Sequence, residues 1–203
     1  MAERAPKIAA IVLAAGRSER MGTNKLLADL DGKPLIRHSV DMLLASMVHD
    51  VIVVTGNAAE DIRNALVGLT VTFVHNPQFA EGLSTSLKIG LNAVSSDADG
   101  VLIYLGDMPL IEVQTVNQVV SAFSVSVHHT ICVPTHEGIR GNPVLWGRQH
   151  FKALGGLMGD HGGKRLMDSQ GSEILEVAVL SKAILLDVDT PEALQEIKSI
   201  LKL

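Results

Sequence analysis

Ile8-Ala9-Ala10-Ile11-Val12-Leu13-Ala14-Ala15-Gly16-Arg17-Ser18-Glu19-Arg20-Met21-Gly22-Thr23-Asn24-Lys25 is the stretch that decides the fold. Its first part, Ile8 to Leu13, is a short apolar run of the kind that forms a buried strand. Its second part, Ala14 to Asn24, is a loop whose small residues at 14 to 16 let backbone amides come close to a ligand. Arg17, Arg20 and Lys25 stand there against a single Glu19, a concentration of positive charge suited to a polyphosphate. The glycine spacing fits neither the dinucleotide fingerprint nor the P-loop, so the phosphate loop is of another kind.

Outward from this stretch, β-branched runs alternate with helical periodicity, which predicts βαβ units and a mainly parallel sheet. Pro34 opens a helix whose inner face is Leu35, Ile36, Ser39, Val40, Leu43 and Leu44. Asp50 to Thr55 reads as a strand, Ala58 to Val67 as a helix and Val71 to Val74 as a third strand. Leu83, Leu87, Leu91 and Val94 recur at helical spacing, and Val101 to Leu105 forms an apolar strand running into Gly106-Asp107-Met108-Pro109. Glu112 to Phe123 reads as a helix, Thr130 to Val133 as a strand, and Gly138 to Trp146 as a turn and strand around Gly141-Asn142-Pro143. Gly155 to Gly163 holds five glycines in nine residues, a loop joining two short helices. Ile184 to Val188 is expected as the last strand and Pro191 to Leu203 as a closing helix.

A chain of 203 residues, 47% hydrophobic and 19% charged, fits one domain spanning 1–203 with a well-filled core. Its longest apolar stretches fall far short of the roughly 20 residues that cross a bilayer. The polar Met1 to Lys7 segment lacks a signal-like apolar core, so a cytoplasmic location is expected and no membrane. A net charge of -5 and 3% aromatics argue against a nucleic-acid surface. Cys132 is the only cysteine and reads as a buried thiol within a strand. His128 and His129 are adjacent and would face opposite ways on a strand, which argues against a metal pair.

Asp107 ends a very apolar strand, where a lone carboxylate is costly unless a hard cation or a helix terminus satisfies it. Asp187 and Asp189 alternate along the expected last strand and would share a face, although Asp189 followed by Glu192 also fits a helix cap with Pro191 in the first turn. Both roles stay open for Asp189. Gly82-Leu83-Ser84-Thr85-Ser86 places three hydroxyls at the start of a helix, where free amides and side-chain oxygens can read a base edge. Arg140, Lys164 and Arg165 are the cationic candidates for a second anion.

Leu13-Ala14-Ala15-Gly16, Ser18, Arg20-Met21-Gly22 and Lys25 together resemble the signature of the MobA/MocA-like nucleotidyltransferases. Gly82 to Leu87, Leu105 to Pro109, Gly141 to Val144 and Asp187 to Pro191 extend the resemblance, in order, over nearly the whole chain. It is nearest in pattern to the molybdenum-cofactor cytidylyltransferases. The resemblance implies a three-layer α/β/α, Rossmann-like fold with a predominantly parallel but mixed sheet, of the nucleotide-diphospho-sugar transferase type. It implies Mg²⁺, with Mn²⁺ as a substitute, CTP as donor and a phosphorylated pterin as acceptor, with molybdoenzyme-maturation partners. Catalysis would fall to Arg20, Lys25 and Asp107, and nucleotide binding to Leu13, Ala14, Ala15, Gly16, Arg17, Gly82, Ser84, Thr85, Ser86 and Asp107. Asp107 and Asp189 would hold the metal, and Arg140, Asn142, Asp160, His161 and Lys164 the acceptor. Gly163 and Lys164 stand where the family pattern has Ala and Arg, and a lysine lacks the forked pairing of arginine. The remaining readings are a sugar or polyol phosphate as acceptor, a nucleotide-sugar glycosyltransferase, and a non-catalytic nucleotide-binding module.

Overall fold

The computed structural model describes residues 4–17, 24–123, 129–159, 163, 166–167 and 171–201. The elements run β1 (Ile8–Ala14), β2 (Asp29–Leu30), β3 (Lys33–Pro34), α1 (Leu35–Leu44), β4 (Asp50–Thr55), α2 (Ala59–Ala65) and β5 (Thr72–His75). They continue with α3 (Leu83–Asn92), β6 (Gly100–Leu105), α4 (Val113–Ala122), β7 (Ile131–His136), β8 (Ile139–Arg140) and β9 (Val144–Gly147). The last are α5 (Phe151–Gly155), β10 (Ile174–Ala178) and α6 (Pro191–Leu201).

The main sheet has the order β10-β7-β9-β6-β1-β4-β5, with β8 pairing β7 and a separate small β2-β3 hairpin. β1 lies between β4 and β6, parallel to both. From β1 the chain steps outward on one side to β4 and β5, then returns to the other side of β1 as β6. The loops after β1 and β6 therefore diverge at a topological switch point, where open α/β sheets bind ligands.

All seven residues of β1 are buried, because both faces of the sheet are covered. Ile8, Ala10, Val12 and Ala14 pack with apolar residues of α1, α2, α4 and α6, while Ile11 and Leu13 pack with Leu87 and Leu91 of α3 and Leu154 of α5. The alternation of side chains along a strand thus produces the three-layer sandwich expected from the sequence. Helix α3 rides close to the sheet at Gly90, where a Cβ would sit 2.6 Å from Ile11 Cγ2.

The expected elements of the first half appear, the strand Asp50–Thr55 with the same ends and others shifted, and α2 is shorter than the predicted Ala58 to Val67. Leu44 is not part of the inner face of α1: it is 38% exposed, at the helix's last residue. The expected last strand, Ile184 to Val188, is absent. Lys182–Leu185 is instead a 3₁₀ turn. The Ile184 carbonyl accepts from the Asn142 N–H at 3.0 Å and the Val188 N–H donates to the Asp107 carbonyl at 2.9 Å, so this backbone is spent on active-edge loops rather than on a neighbouring strand. The last strand is β10, parallel to β7, which sequence reading missed because its half-exposed side chains, including Glu176, give no buried apolar run.

The segment around Asn142 is a bulge. Arg140 pairs with Thr135 and Leu145 with Cys132, so the strand opposite β7 spends two residues more than β7 over the same span. The excess is extruded at Gly141-Asn142-Pro143, which contains a cis Asn142–Pro143 bond.

Candidate active site

The loop after β1 leads to a 3₁₀ turn at Lys25–Leu27, capped by Asn24, whose side chain accepts from the Leu26 N–H at 3.0 Å. The loop after β6 presents Asp107, and the segment before α6 presents Asp187 and Asp189. These three chain segments meet at one point. The Lys25 ammonium lies 2.5 Å from Asp107 Oδ2 and 2.5 Å from Asp189 Oδ1. Carboxylate oxygens of Asp107, Asp187 and Asp189 lie within 4.8 Å of one another. The helix N-cap hydroxyl belongs to Thr190, whose Oγ1 accepts from the Ala193 N–H at 3.2 Å.

Asp107 is largely buried, and its Oδ1 has no hydrogen-bond partner among the described residues. Burial pushes its carboxyl above the ordinary aspartate value, the Lys25 ammonium pulls the other way and the Asp187 charge adds to the rise. For Lys25, burial alone would depress the ammonium, but Asp107 and then Asp189 outweigh it, and the net direction is upward. An orphaned carboxylate oxygen beside two further carboxylates is the hard, oxygen-only donor set that Mg²⁺ or Mn²⁺ takes.

A cleft of about 490 Å³ opens over this cluster, lined by Leu13, Ala15, Gly16, Arg17, Lys25, Gly82, Ser86, Asp107 and Asp189 among others. The structure thus brings together most of the expected nucleotide and metal residues. Three expected contacts lie elsewhere. Ala14 is wholly buried at the end of β1. Ser84 is also buried, and its N–H bonds to the Gly159 carbonyl at 3.1 Å. The Thr85 hydroxyl accepts from Asn76 Nδ2 at 2.9 Å and lies 2.8 Å from the Gly82 carbonyl and 3.0 Å from that of Gln78. The N-cap of α3 is Gly82, with φ 109°, a backbone position that suits glycine. Arg20, Asp160, His161, Lys164 and Arg165 lie outside the described residues.

Sequence reading passed over Phe79 and Ala80, which form a wall of the cleft, with the Arg17 guanidinium 5.6 Å from the Phe79 ring centroid. It also passed over Asn76, wholly buried, which donates to both Thr85 and Ser86 and fixes the start of α3. The usable signal was Asn76-Pro77 just after β5, a turn at the same sheet edge as the end of β1.

A second cleft of about 560 Å³ shares Leu13, Leu83 and Leu105 with the first. It holds Arg140 and Asn142, with Ile103, Val144, Trp146 and Met167 as its apolar walls. Glu176 grips the Arg140 guanidinium, 2.8 Å from Nε and 2.7 Å from Nη2, which orients it and offsets part of its charge.

Comparison with known proteins agrees with this geometry. Residues 10–174 match the MobA-like NTP transferase domain. The chain is 31% identical to the purine catabolism protein PucB of Bacillus subtilis, covering 93% of this chain and 95% of that protein. It is 27% identical to the molybdenum cofactor cytidylyltransferase of Escherichia coli, covering 90% and 91%. Among solved structures, Rv0371c of Mycobacterium tuberculosis in complex with manganese superimposes with a TM-score of 0.78 at 27% identity, covering 95% of this chain and 98% of that one. With the acidic cluster and the switch-point cleft in place, this chain belongs to the MobA-like NTP transferase family and is a nucleotidyltransferase.

Proposed function

We propose that this protein transfers CMP from CTP to the phosphate of molybdenum-bound molybdopterin, releasing pyrophosphate. The observation that carries the reading is the pair of adjoining clefts, one charged and one largely apolar, which share Leu13, Leu83 and Leu105 in their walls. The charged cleft suits a nucleoside triphosphate. The apolar one suits an acceptor with a ring system better than a sugar or polyol phosphate, whose hydroxyls would go unpaired there. The name of the Escherichia coli relative supports the same choice.

In this reading an oxygen of the acceptor phosphate attacks the α-phosphorus of CTP. The bond from the α-phosphorus to the oxygen bridging it to the β-phosphorus breaks, and pyrophosphate leaves with that electron pair. The reaction needs no protein nucleophile, since orientation and charge neutralisation supply most of the rate. The amides of Ala15 and Gly16 and the side chains of Arg17 and Lys25 hold the triphosphate, with Arg20 assigned to the same task by its place in the motif. Asp107 and Asp189, with Asp187 beside them, would hold Mg²⁺ or Mn²⁺, which supplies Lewis-acid neutralisation of phosphate oxygens. Arg140 and Asn142 orient the acceptor.

The test is pyrophosphate release by purified protein with Mg²⁺ or Mn²⁺, each NTP in turn, and a panel of acceptors containing molybdopterin and sugar and polyol phosphates. Turnover with CTP and molybdopterin is expected. A preference for GTP, or for a sugar or polyol phosphate, rejects the reading.

A further inference from the structure

The peptide units around Asp107 are fastened by tertiary hydrogen bonds on every side. The Gly106 N–H donates to the Leu13 carbonyl at 3.2 Å, which ties the loop to the end of β1. The Gly106 carbonyl accepts from Ser39 Oγ at 3.1 Å, which ties it to α1. The Asp107 carbonyl accepts from the Val188 N–H at 2.9 Å, which ties it to the segment carrying Asp187 and Asp189. The Met108 carbonyl accepts from Tyr104 Oη at 2.5 Å. Helix α1 also touches this backbone directly: a Cβ on Gly106 would lie 2.9 Å from Ile36 Cδ1.

Two of these fastenings come from side-chain hydroxyls in places that packing alone would fill with carbon. Tyr104 is fully buried on β6, where a phenylalanine would occupy the same space. Ser39 sits on the buried face of α1, and its hydroxyl donates across to Gly106 rather than back to its own helix. Burial drives the Tyr104 phenol far above its ordinary pKa, so it remains a donor at every working pH. We propose that Tyr104 and Ser39 are positioning residues that hold the Asp107 carboxylate in the geometry a divalent cation requires. Neither touches the cleft. Ser39 acts through the Gly106 carbonyl, in the peptide that enters the ligand residue, and Tyr104 through the Met108 carbonyl, one peptide beyond it, while the Val188 N–H holds the Asp107 carbonyl between them. Mg²⁺ and Mn²⁺ tolerate little angular error in a carboxylate ligand, and outer residues that orient such ligands typically carry about 10- to 100-fold of metal affinity.

The proposal rests on the reading that Asp107 is a metal ligand, and its test separates the two. Mn²⁺ binding is followed by electron paramagnetic resonance with a non-hydrolysable CTP analogue present, in the wild type, Tyr104→Phe and Ser39→Ala, with melting temperature and kcat measured alongside. In Tyr104→Phe the Mn²⁺ Kd is expected to rise about tenfold, with kcat restored by excess Mn²⁺ and the analogue's affinity without metal unchanged. Ser39→Ala is expected to change in the same direction. A lower melting temperature with unchanged Mn²⁺ Kd and kcat would show the hydroxyls to be merely structural and overturn the proposal, as would failure of both variants to fold. Absence of Mn²⁺ binding in the wild type would instead overturn the reading of the cluster itself.

Discussion

Lys25 and Asp189 are 164 residues apart in sequence, yet the ammonium of one lies 2.5 Å from Oδ1 of the other, with Asp107 on its remaining side. One cation thus joins the first crossover of the fold to its last helix. Lys25→Met removes this link and the charge proposed to hold phosphate while keeping most of the side-chain volume. Turnover is expected to fall by about 10²- to 10³-fold, the usual loss for one transition-state charge contact. Lys25→Arg keeps the charge, but its planar fork does not reproduce a point contact between two carboxylates, so it is expected to rescue folding better than turnover. Steady-state kinetics beside thermal melts decide the matter, and near wild-type kcat in Lys25→Met would remove Lys25 from the machinery.

Asp187 raises the Asp107 carboxyl by like-charge repulsion, in addition to burial. A ligand carboxylate with a raised pKa keeps its proton to a higher pH than an ordinary aspartate, so cation binding is expected to fail earlier on acidification. Asp187→Asn removes the repelling charge and lowers the Asp107 pKa, so at metal concentrations that saturate the variant the acid limb of turnover is expected to move to lower pH. A pH–rate profile checks this, and an unmoved limb or one shifted upward counts against the coupling.

Gly106 is where β6, α1 and the phosphate-loop strand meet: a Cβ there would lie 2.9 Å from Ile36 Cδ1 and 3.1 Å from the Leu13 carbonyl oxygen. Gly106→Ala is therefore expected to destabilise the protein by about 1–3 kcal/mol, the usual range for overpacking. Gly155→Ala, where a Cβ meets nothing within 4 Å, serves as the control and is expected to be neutral or slightly stabilising. Urea unfolding of the two variants side by side gives the comparison, and equal midpoints would refute the steric argument.

Cys132 is wholly buried in β7, and burial raises its thiol from 9.0 to about 11. Between those values the unfolded chain has already lost the thiol proton while the folded chain retains it. The unfolded state then binds fewer protons, and stability falls as pH rises through that window. Cys132→Ala is expected to flatten this alkaline slope in urea melts. Iodoacetamide at pH 8 is expected to label the unfolded but not the native protein, and rapid native labelling would show the thiol to be accessible.

Much of the architecture was legible because it depends on local pattern. The apolar run at Ile8 to Leu13, the small-residue loop behind it, and the strand ending at Asp107 announce a parallel sheet with an anion-binding edge. The segment from Ile184 to Val188 misled, since it has the composition of a strand but spends its backbone on the Asp107 and Asn142 loops. Strand β10 was invisible for the opposite reason: an edge strand with half-exposed side chains lacks the buried pattern that marks the others. Asn76, Phe79 and the supports of Asp107 carry no motif, because their partners lie across other elements.

The sequence by itself determined the fold class and marked the glycine loop, Lys25 and Asp107 as candidates, with Asp189 added by its motif, since hydrophobic period and glycine placement are properties of neighbours along the chain. Only the tertiary structure decided that Asp187 joins the other two carboxylates, that Lys25 stands between Asp107 and Asp189, and that two clefts adjoin across Leu13, Leu83 and Leu105. These facts depend on how far apart distant segments come to rest, which is set by the packing of α1 and α3 against the sheet and by backbone hydrogen bonds between loops.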